Sequence, residues 1–206
     1  MLKIYHVPFA RSARVVWLME ELGEAYEAEK VPFPLDPEFK ARTGVVAIPT
    51  IVDGDTVMGE SIAILQYLTG RRIAKALELG LTVGPNPDPD AYAEHLNWLH
   101  FGEASLMVHS AMLSRVRRLG SESEQSGYAA QALEAVLTSR LGALERQLED
   151  GRPFLTGEAF TIADISVGYT LGYARWREQG GMFGPMTAAY CDRVTARPGY
   201  GIATAD

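Results

Sequence analysis

The sequence contains a single cysteine, Cys191, among its 206 residues. One thiol excludes an internal disulfide and any multi-cysteine zinc cluster, and it fits a reducing compartment. Basic residues are also scarce, 19 against 26 acidic ones for a net charge of −7, which argues against a nucleic-acid-binding surface. No apolar run is long enough for a membrane span, and the first residues lack the apolar core of a signal peptide. We therefore expect a cytoplasmic globular protein that binds neither nucleic acid nor membrane.

Residues 1–72 alternate between strand-like and helix-like patterns. An alternating strand over residues 2–5 precedes a helix with one apolar stripe, formed by Val15, Leu18, Met19 and Leu22. A second strand near residues 25–31 follows, and Asp53-Gly54 lies between two β-branched runs, which is typical of a tight hairpin. A further helix begins at Ser61. This order predicts an α+β, thioredoxin-like N-terminal domain with a small mixed sheet.

The second half of the chain has a helical character. The segment Gly84–Asp90 holds three prolines and a glycine, which predicts a linker over residues 73–90. Apolar residues then recur at steps of three and four, so residues 91–206 are expected to form an all-helical domain. Its predicted helices cover residues 92–116, 133–148, 161–176 and 185–197. The first is expected to be one long helix.

Three residues of the helical domain have predicted structural roles. Thr161 and Asp164 read as a capping box that opens a helix, with aspartate in place of glutamate. Asp164 is therefore expected to act in folding and not in chemistry. Cys191 has no CxxC partner and is expected to be a buried small side chain. His100 and Glu103 lie one turn apart, but no third metal ligand accompanies them, so no metal site is expected.

Two dipeptides carry the strongest hints of ligand binding. Ile48-Pro49 opens a strand, which fits either an edge position or a cis peptide that turns the Ile48 backbone toward an extended peptide ligand. Glu60-Ser61 opens a helix, where either residue could be a cap. The same helix N-terminus could hold a ligand carboxylate, with Ser61 donating its hydroxyl and Glu60 accepting from an ammonium group.

Ser12 opens the first helix at the end of the first strand. One interpretation makes it only an N-cap. The other lets its hydroxyl and the helix N-terminus stabilise a thiolate on a bound ligand, with Arg11 and Arg14 adding positive charge nearby.

Four segments, taken in order, resemble the cytosolic glutathione S-transferases: YHVPFARSARVVWLMEELG, AIPTIVDGDTVMGESIAILQYL, NWLHFGEASLM, and TIADISVGYTL with the terminal RPGY. They span nearly the whole chain. The Ile-Pro strand start paired with Glu-Ser at the next helix is typical of the glutathione site in that family. The Thr-Ile-Ala-Asp cap is typical of its helical domain. The chain looks most like a bacterial, serine-type member.

The resemblance implies how glutathione would be held. Ile48 would pair through its backbone with the cysteinyl part of glutathione, beside a cis Pro49. Glu60 and Ser61 would hold the γ-glutamyl amine and carboxylate. Family members often have Gly-Lys before the Ile/Val-Pro pair, and this chain lacks that basic contact to the glycyl carboxylate. Arg42 is a candidate to replace it, and low affinity is the alternative.

The resemblance also implies which group faces the thiol. Ser12 looks like the serine that faces the thiol in serine-type members. Tyr5 lies near the position of the tyrosine that other members use, and Arg11 is a possible helper. Cysteine-type bacterial members have a cysteine near Arg11 and this chain has none, so mixed-disulfide chemistry is not expected.

The function that the resemblance implies is detoxifying glutathione transfer. Glutathione would be the co-substrate, with no metal, and its thiolate would attack a small hydrophobic electrophile in a pocket formed largely by the helical domain. A homodimer is expected. The alternatives are a glutathione-dependent reductase or isomerase on the same scaffold, or a non-catalytic interaction module, since this fold also serves in binding roles.

Overall fold

The structure is a computed structural model, and it describes residues 1–84 and 88–205. The chain divides into two compact units, one of Met1–Thr82 with Ala196–Asp206 and one of Val83–Thr195. Residues 85–87, in the middle of the predicted linker, lie outside the described residues. Within the described ranges, no helix combines the length and the apolar character that crossing a membrane requires.

A four-stranded mixed sheet forms the centre of the first unit. Its strands are β1 (Leu2–His6), β2 (Tyr26–Lys30), β3 (Thr50–Asp53) and β4 (Thr56–Met58), in the order β2-β1-β3-β4. β1 runs parallel to β2 and antiparallel to β3, and β3 pairs antiparallel with β4. Gly54 in the β3–β4 turn has the positive φ of 61° that a primed hairpin turn needs. The predicted mixed sheet and its hairpin are confirmed.

Helices cover both faces of this sheet. They are α1 (Ser12–Leu22), α2 (Pro37–Thr43), α3 (Ser61–Arg71) and α4 (Ile73–Glu78). The apolar stripe predicted for α1 is buried in full, and the helix ends at Gly23 in the left-handed conformation. Successive side chains of β1 point to opposite faces of the sheet. His6 therefore contacts α1 through Ser12, whereas Tyr5 packs edge-on against Phe39 of α2.

The second unit is all-helical, as predicted. Its α-helices are α5 (Pro89–His100), α6 (Val108–Leu119), α7 (Glu122–Gln125), α8 (Tyr128–Gln147), α9 (Ile162–Trp176) and α10 (Pro185–Thr195), with a 3-10 turn at Gly180–Met182. α9 begins with the predicted capping box, in which Thr161 and Asp164 bond to each other's backbone. Cys191 is buried in α10, also as predicted.

The predicted single helix over residues 92–116 differs from the observed structure. A π-helical turn, Phe101–Met107, separates α5 from α6. A Cβ on Gly102 would lie 2.3 Å from Ser166 Oγ, so α9 approaches this turn very closely. Ser166 Oγ donates to Leu99 O at 2.8 Å and Thr170 Oγ1 donates to Gly102 O at 3.0 Å. Side chains of another helix thus bond carbonyls next to and within the widened turn, which apolar spacing cannot reveal.

The ends of the predicted domains also differ from the observed units. α4 lies inside the segment predicted as linker, and a final helix, α11 (Pro198–Thr204), was not predicted. α11 belongs to the first unit, where Arg197 donates to both carboxylate oxygens of Glu21 at 2.8 and 2.5 Å. A Cβ on Gly199 would lie 2.8 Å from Trp17 Cδ1, so α11 lies directly on α1. A contact across 176 residues of sequence has no local signature.

Candidate functional site

The N-terminus of α3 offers uncapped backbone N–H groups. Glu60 occupies the N-cap with φ 60° and ψ 96°, and its exposed side chain makes no capping hydrogen bond. An anion in place of the cap would satisfy these N–H groups and interact favourably with the helix dipole. Of the two residues predicted as caps, Glu60 occupies the N-cap position, but its side chain makes no capping hydrogen bond. Ser61 is the first helical residue.

A buried arginine lies directly against this helix start. Arg14 of α1 is 0% exposed, and its Nη1 donates to Ser61 Oγ at 3.0 Å. Because that oxygen already accepts from Arg14, the Ser61 hydroxyl keeps its own proton to donate. The guanidinium adds positive charge to the helix dipole at the same place. This pair makes the start of α3 a strong anion-binding position.

The peptide bond between Ile48 and Pro49 is cis, as the sharper of the two sequence interpretations predicted. β3 begins one residue later, at Thr50. In the described part of the chain, neither the Ile48 N–H nor its C=O takes part in a main-chain hydrogen bond of a turn, loop or strand. A Cβ on Gly59 would lie 3.6 Å from the Pro49 carbonyl oxygen. The cis peptide and the start of α3 are therefore neighbours.

Ser12 does not have the position that the sequence suggested. Arg11 is the N-cap of α1, and Ser12 is the first helical residue, so the N-cap prediction is wrong. The Ser12 side chain is 0% exposed. Its Oγ accepts from Val7 N at 3.1 Å, lies 3.0 Å from His6 Nδ1, and donates to Val7 O at 3.2 Å. These contacts use its hydrogen-bonding capacity to hold the β1–α1 connection.

His6 is neutral in this environment. Burial, together with the positive charge of Lys30, lowers the pKa of His6 to about 4. A neutral imidazole has one donor and one acceptor nitrogen, which suits a contact with a hydroxyl. His6 and Ser12 therefore act as a structural pair.

Tyr5 lies apart from Ser12. It is nearly buried in a cluster with Val31, Leu35, Phe39 and Val45, and Ile48 packs against this cluster. Strand alternation directs Tyr5 to the α2 face of the sheet and His6 to the α1 face. Tyr5 thus supports the segment that carries Ile48, and the structure does not bring it together with Ser12.

The loop before α1 has an unusual backbone. Phe9 adopts φ 55°, a conformation that residues other than glycine rarely take. Such conformations concentrate at functional sites. The loop leads into the N-terminus of α1, where Arg11 holds the N-cap without a capping side chain. Ala13 N and Arg14 N donate to the carbonyls of Ala10 and Arg11, at 2.9 and 3.3 Å. In the described structure, the first-turn N–H group that remains for a ligand is that of Ser12.

The other candidates from the sequence are Arg42, Cys191, His100 and Glu103. Arg42 is exposed near the end of α2, with its guanidinium 5.6 Å from the ring centre of Phe39. Burial raises the pKa of the Cys191 thiol to about 11, so this thiol is inert. Among the described residues, no three His, Cys, Asp or Glu side chains come together as metal ligands, and His100 with Glu103 gains no third member.

Comparison with known proteins identifies the family of this chain. Residues 8–71 match the model of the glutathione S-transferase N-terminal domain, and residues 128–198 match that of the C-terminal domain. The chain belongs to the glutathione S-transferase family. The resemblance that the sequence motifs indicated is therefore confirmed at the level of the family and the fold.

One curated relative is moderately similar to part of the chain. Glutathione S-transferase 3 of Schizosaccharomyces pombe is 32% identical over 111 residues, which are 52% of this chain and 43% of that protein. The match thus spans less than half the length of that curated relative.

Solved structures extend the likeness to the whole fold. A glutathione S-transferase from Actinobacillus pleuropneumoniae superposes with a TM-score of 0.79 at 25% identity, over 98% of this chain and 91% of that one. A glutathione transferase from Pseudomonas putida, with one glutathione disulfide bound per subunit, superposes with a TM-score of 0.76 at 26% identity. The match covers 98% of this chain and 90% of that one.

One residue of this candidate site was not predicted from the sequence. Arg14 was noted only as nearby charge, yet the fold buries it and directs it onto Ser61. A charged residue inside the otherwise apolar face of α1 is the one sequence signal that could have indicated it. The two residues are 47 positions apart, so only the packing of α1 against α3 brings them together.

Proposed function

We propose that the first unit binds glutathione and that the protein is a glutathione transferase. The observation that carries this proposal is the convergence of the buried Arg14–Ser61 pair, the uncapped start of α3 and the cis peptide at Pro49. The γ-glutamyl carboxylate accepts from Ser61 and the first-turn N–H groups of α3. The exposed Glu60 carboxylate accepts from the ligand ammonium. The glutathione disulfide bound in the Pseudomonas putida structure supports a glutathione-type ligand.

The cysteinyl part of glutathione pairs with the backbone of Ile48. An extended peptide beside a strand start needs one N–H and one C=O that the sheet leaves open, and Ile48 has both. The glycyl carboxylate has no basic residue in the adjacent Val46-Ala47 segment, and Arg42 at the end of α2 is the cation proposed for it.

Thiol activation comes from the start of α1. We assign the thiol contact to the backbone N–H of Ser12, because the Ser12 hydroxyl is buried and bonded elsewhere and the next two N–H groups bond to Ala10 O and Arg11 O. A free thiol has a pKa near 8.5 and is only a few per cent ionised at neutral pH. Lowering its pKa by about two units makes it mostly thiolate, at about 1.36 kcal/mol per unit. N–H donors at a helix N-terminus favour such a shift.

The thiolate then attacks a small hydrophobic electrophile. A carbon–sulfur bond forms, the leaving group takes the electron pair of the bond that breaks, and the thiol proton goes to solvent. Product analysis separates this reaction from the two enzymatic alternatives. A transferase yields a stable thioether, a reductase yields oxidised glutathione, and an isomerase yields rearranged substrate with glutathione unchanged. A non-catalytic binding module yields no product.

Calorimetric titration with glutathione tests the site directly. Glutathione at 100 times its dissociation constant should stabilise the protein by roughly 2.7 kcal/mol, which raises its melting temperature. Ser61→Ala should weaken binding by about tenfold, because it removes one donor to a carboxylate. Ser110→Ala is the matched control, since Ser110 is also buried and hydrogen-bonded but belongs to the helical unit. No heat of binding at millimolar glutathione would refute the assigned site.

We also propose that the protein is a cytoplasmic homodimer, as its family resemblance implies. Light scattering coupled to size-exclusion chromatography tests the dimer, which should elute at twice the 22.5 kDa of one chain.

A further inference from the structure

A basic cleft opens within the second unit, on the C-terminal ends of α6 and α9. It has a volume of about 410 Å³ and is lined by Ser114, Arg117, Arg118, Trp176, Arg177 and Glu178. Three guanidinium groups face one carboxylate here, in a chain whose net charge is −7. Nothing in the proposed glutathione chemistry uses these residues.

The positive charge of the cleft is only partly balanced by the protein. Arg117 pairs with Glu134 at 2.8 Å. Across the described ranges, neither Arg118 nor Arg177 has an acidic partner within 4.0 Å. Like charges brought together without counter-charges repel, and an anion bound among them relieves that repulsion.

Contacts with two aromatic rings fix the orientation of the Arg177 guanidinium. Its guanidinium lies 3.5 Å from the ring centre of Trp176 and 5.4 Å from that of Tyr173. Stacking fixes the plane of a guanidinium and leaves its N–H edges available to a carboxylate. The Arg177 Nε is shielded from solvent and has no hydrogen-bond partner in the described structure, so the terminal guanidinium nitrogens are the ones that an anion in the cleft would contact.

An aromatic wall completes the cleft. Trp176 is 46% exposed, whereas Trp17 and Trp98 are 0% and 6% exposed. An exposed indole beside arginines favours a flat apolar group that also carries a negative charge. The cleft volume lies within the range of small-molecule sites, about 300–1,000 Å³.

We propose that this cleft binds a planar aromatic carboxylate. The carboxylate accepts hydrogen bonds from Arg118 and Arg177, the hydroxyl of Ser114 lies in the wall beside it, and the ring lies against Trp176. Every residue that lines the cleft belongs to the second unit, and none of them is assigned a contact with glutathione in our proposal.

The test uses 2-naphthoate as the probe, in calorimetric titration at low salt without glutathione. We expect saturable binding that weakens as salt is added, since the contacts are ionic. The neutral isostere 2-naphthamide should bind at least about tenfold more weakly, because it lacks the charge-assisted hydrogen bonds. Equal affinity for the two probes, or no binding of naphthoate at millimolar concentration, would overturn the proposal.

Two variants of α6 locate the site. Arg118→Gln should lower naphthoate affinity by about tenfold, because it removes one charge-assisted contact. Arg115→Gln is the matched control. The substitution removes the same charge from an exposed position on the same helix, but Arg115 does not line the cleft. An equal loss in both variants would show a diffuse charge effect and contradict the assigned cleft. Both arginines are exposed, so neither change should affect folding.

Discussion

At the scale of single residues, buried polar side chains organise the proposed glutathione site. Arg14 positions the Ser61 hydroxyl, and Ser12 ties the end of β1 to the start of α1. Ser12 and Ser61 are 0% and 3% exposed, yet the two serines differ in what they can do. Ser61 keeps a proton for a ligand, whereas the Ser12 hydroxyl is committed to His6 and Val7. Ser12 is therefore a positioning residue and Ser61 a binding residue in our proposal.

Ser12→Ala tests this division of roles. The change leaves Val7 N and His6 Nδ1 without their partner, so the free energy of unfolding should fall by about 1–3 kcal/mol. The pKa of bound glutathione, followed by its thiolate absorbance in the ultraviolet, should change little because the backbone N–H of Ser12 supplies the contact. Denaturant melts measure the first effect.

If Ser12→Ala instead raised the pKa of the bound thiol strongly and left the free energy of unfolding unchanged, the Ser12 hydroxyl would be the group that faces the thiol. In that event turnover should fall about 10- to 1000-fold at neutral pH, the scale of losing one preorganised donor. Tyr5→Phe is the companion control, because Tyr5 lies in the cluster on the α2 face of the sheet.

At the scale of elements, helix starts and close helix contacts shape the second unit. Asp164 of α9 is 0% exposed and accepts from Leu155 N and Tyr190 OH, as well as from Thr161 N. Burial raises the pKa of this carboxyl, and these hydrogen bonds oppose the rise. The capping box predicted from sequence thus also connects α9 to α10 and to the segment that precedes it.

Asp164→Ala should destabilise the protein without a direct effect on chemistry. It leaves four buried donors without an acceptor, at about 1–3 kcal/mol for each donor, so we expect a loss of about 4 kcal/mol or more. Thermal and urea unfolding measure the loss. Asp164→Asn keeps one acceptor oxygen and should lose less. Full stability combined with lost turnover would contradict the structural role.

Glycine at the π-helical turn allows a second test of packing. Gly102→Ala places a Cβ 2.6 Å from the Ser166 carbonyl carbon, so the two helices must move apart, at about 1–3 kcal/mol. Gly142→Ala in α8 is the control with the opposite sign. Its nearest neighbour would be a flexible arginine end at 3.7 Å, and alanine favours a helix by about 0.5–1 kcal/mol. Melts that shift in the same direction for both variants would be inconsistent with this packing.

At the scale of the whole molecule, each unit contains a neutral buried histidine. Burial and the Lys30 charge lower the pKa of His6 to about 4 in the first unit, and burial lowers that of His95 to about 4 in the second. Unfolding returns both to about 6.5. The unfolded chain therefore binds more protons between these values, and proton binding favours the unfolded state.

Stability should consequently be complete above pH 6.5 and fall as the pH drops toward 4. Each histidine contributes about 1.36 kcal/mol per pH unit over this range. Urea titrations at several pH values measure the slope. His95→Leu should lose its share of the slope, and His100→Leu, an exposed site on the same helix, should not. A slope that is unchanged in His95→Leu would exclude His95 as a cause.

The sequence by itself determined the local elements and the family. The alternation in β1, the Asp53-Gly54 turn, the stripe of α1 and the Thr161–Asp164 box are all short-range patterns, because helix and strand periods and caps depend on neighbouring residues. The Ile48-Pro49 and Glu60-Ser61 pairs, which indicated glutathione as the ligand, are also short-range patterns. Each is a two-residue feature at an element start.

Tertiary packing alone decided the rest. It buried Ser12, directed Arg14 onto Ser61, widened the helix at Phe101–Met107 and placed α11 on α1. Each of these depends on partners that are 47 to 176 positions away, or on how closely two helices approach. A side chain's exposure and its hydrogen-bond partners are properties of assembled surfaces, so no window of the sequence contains them.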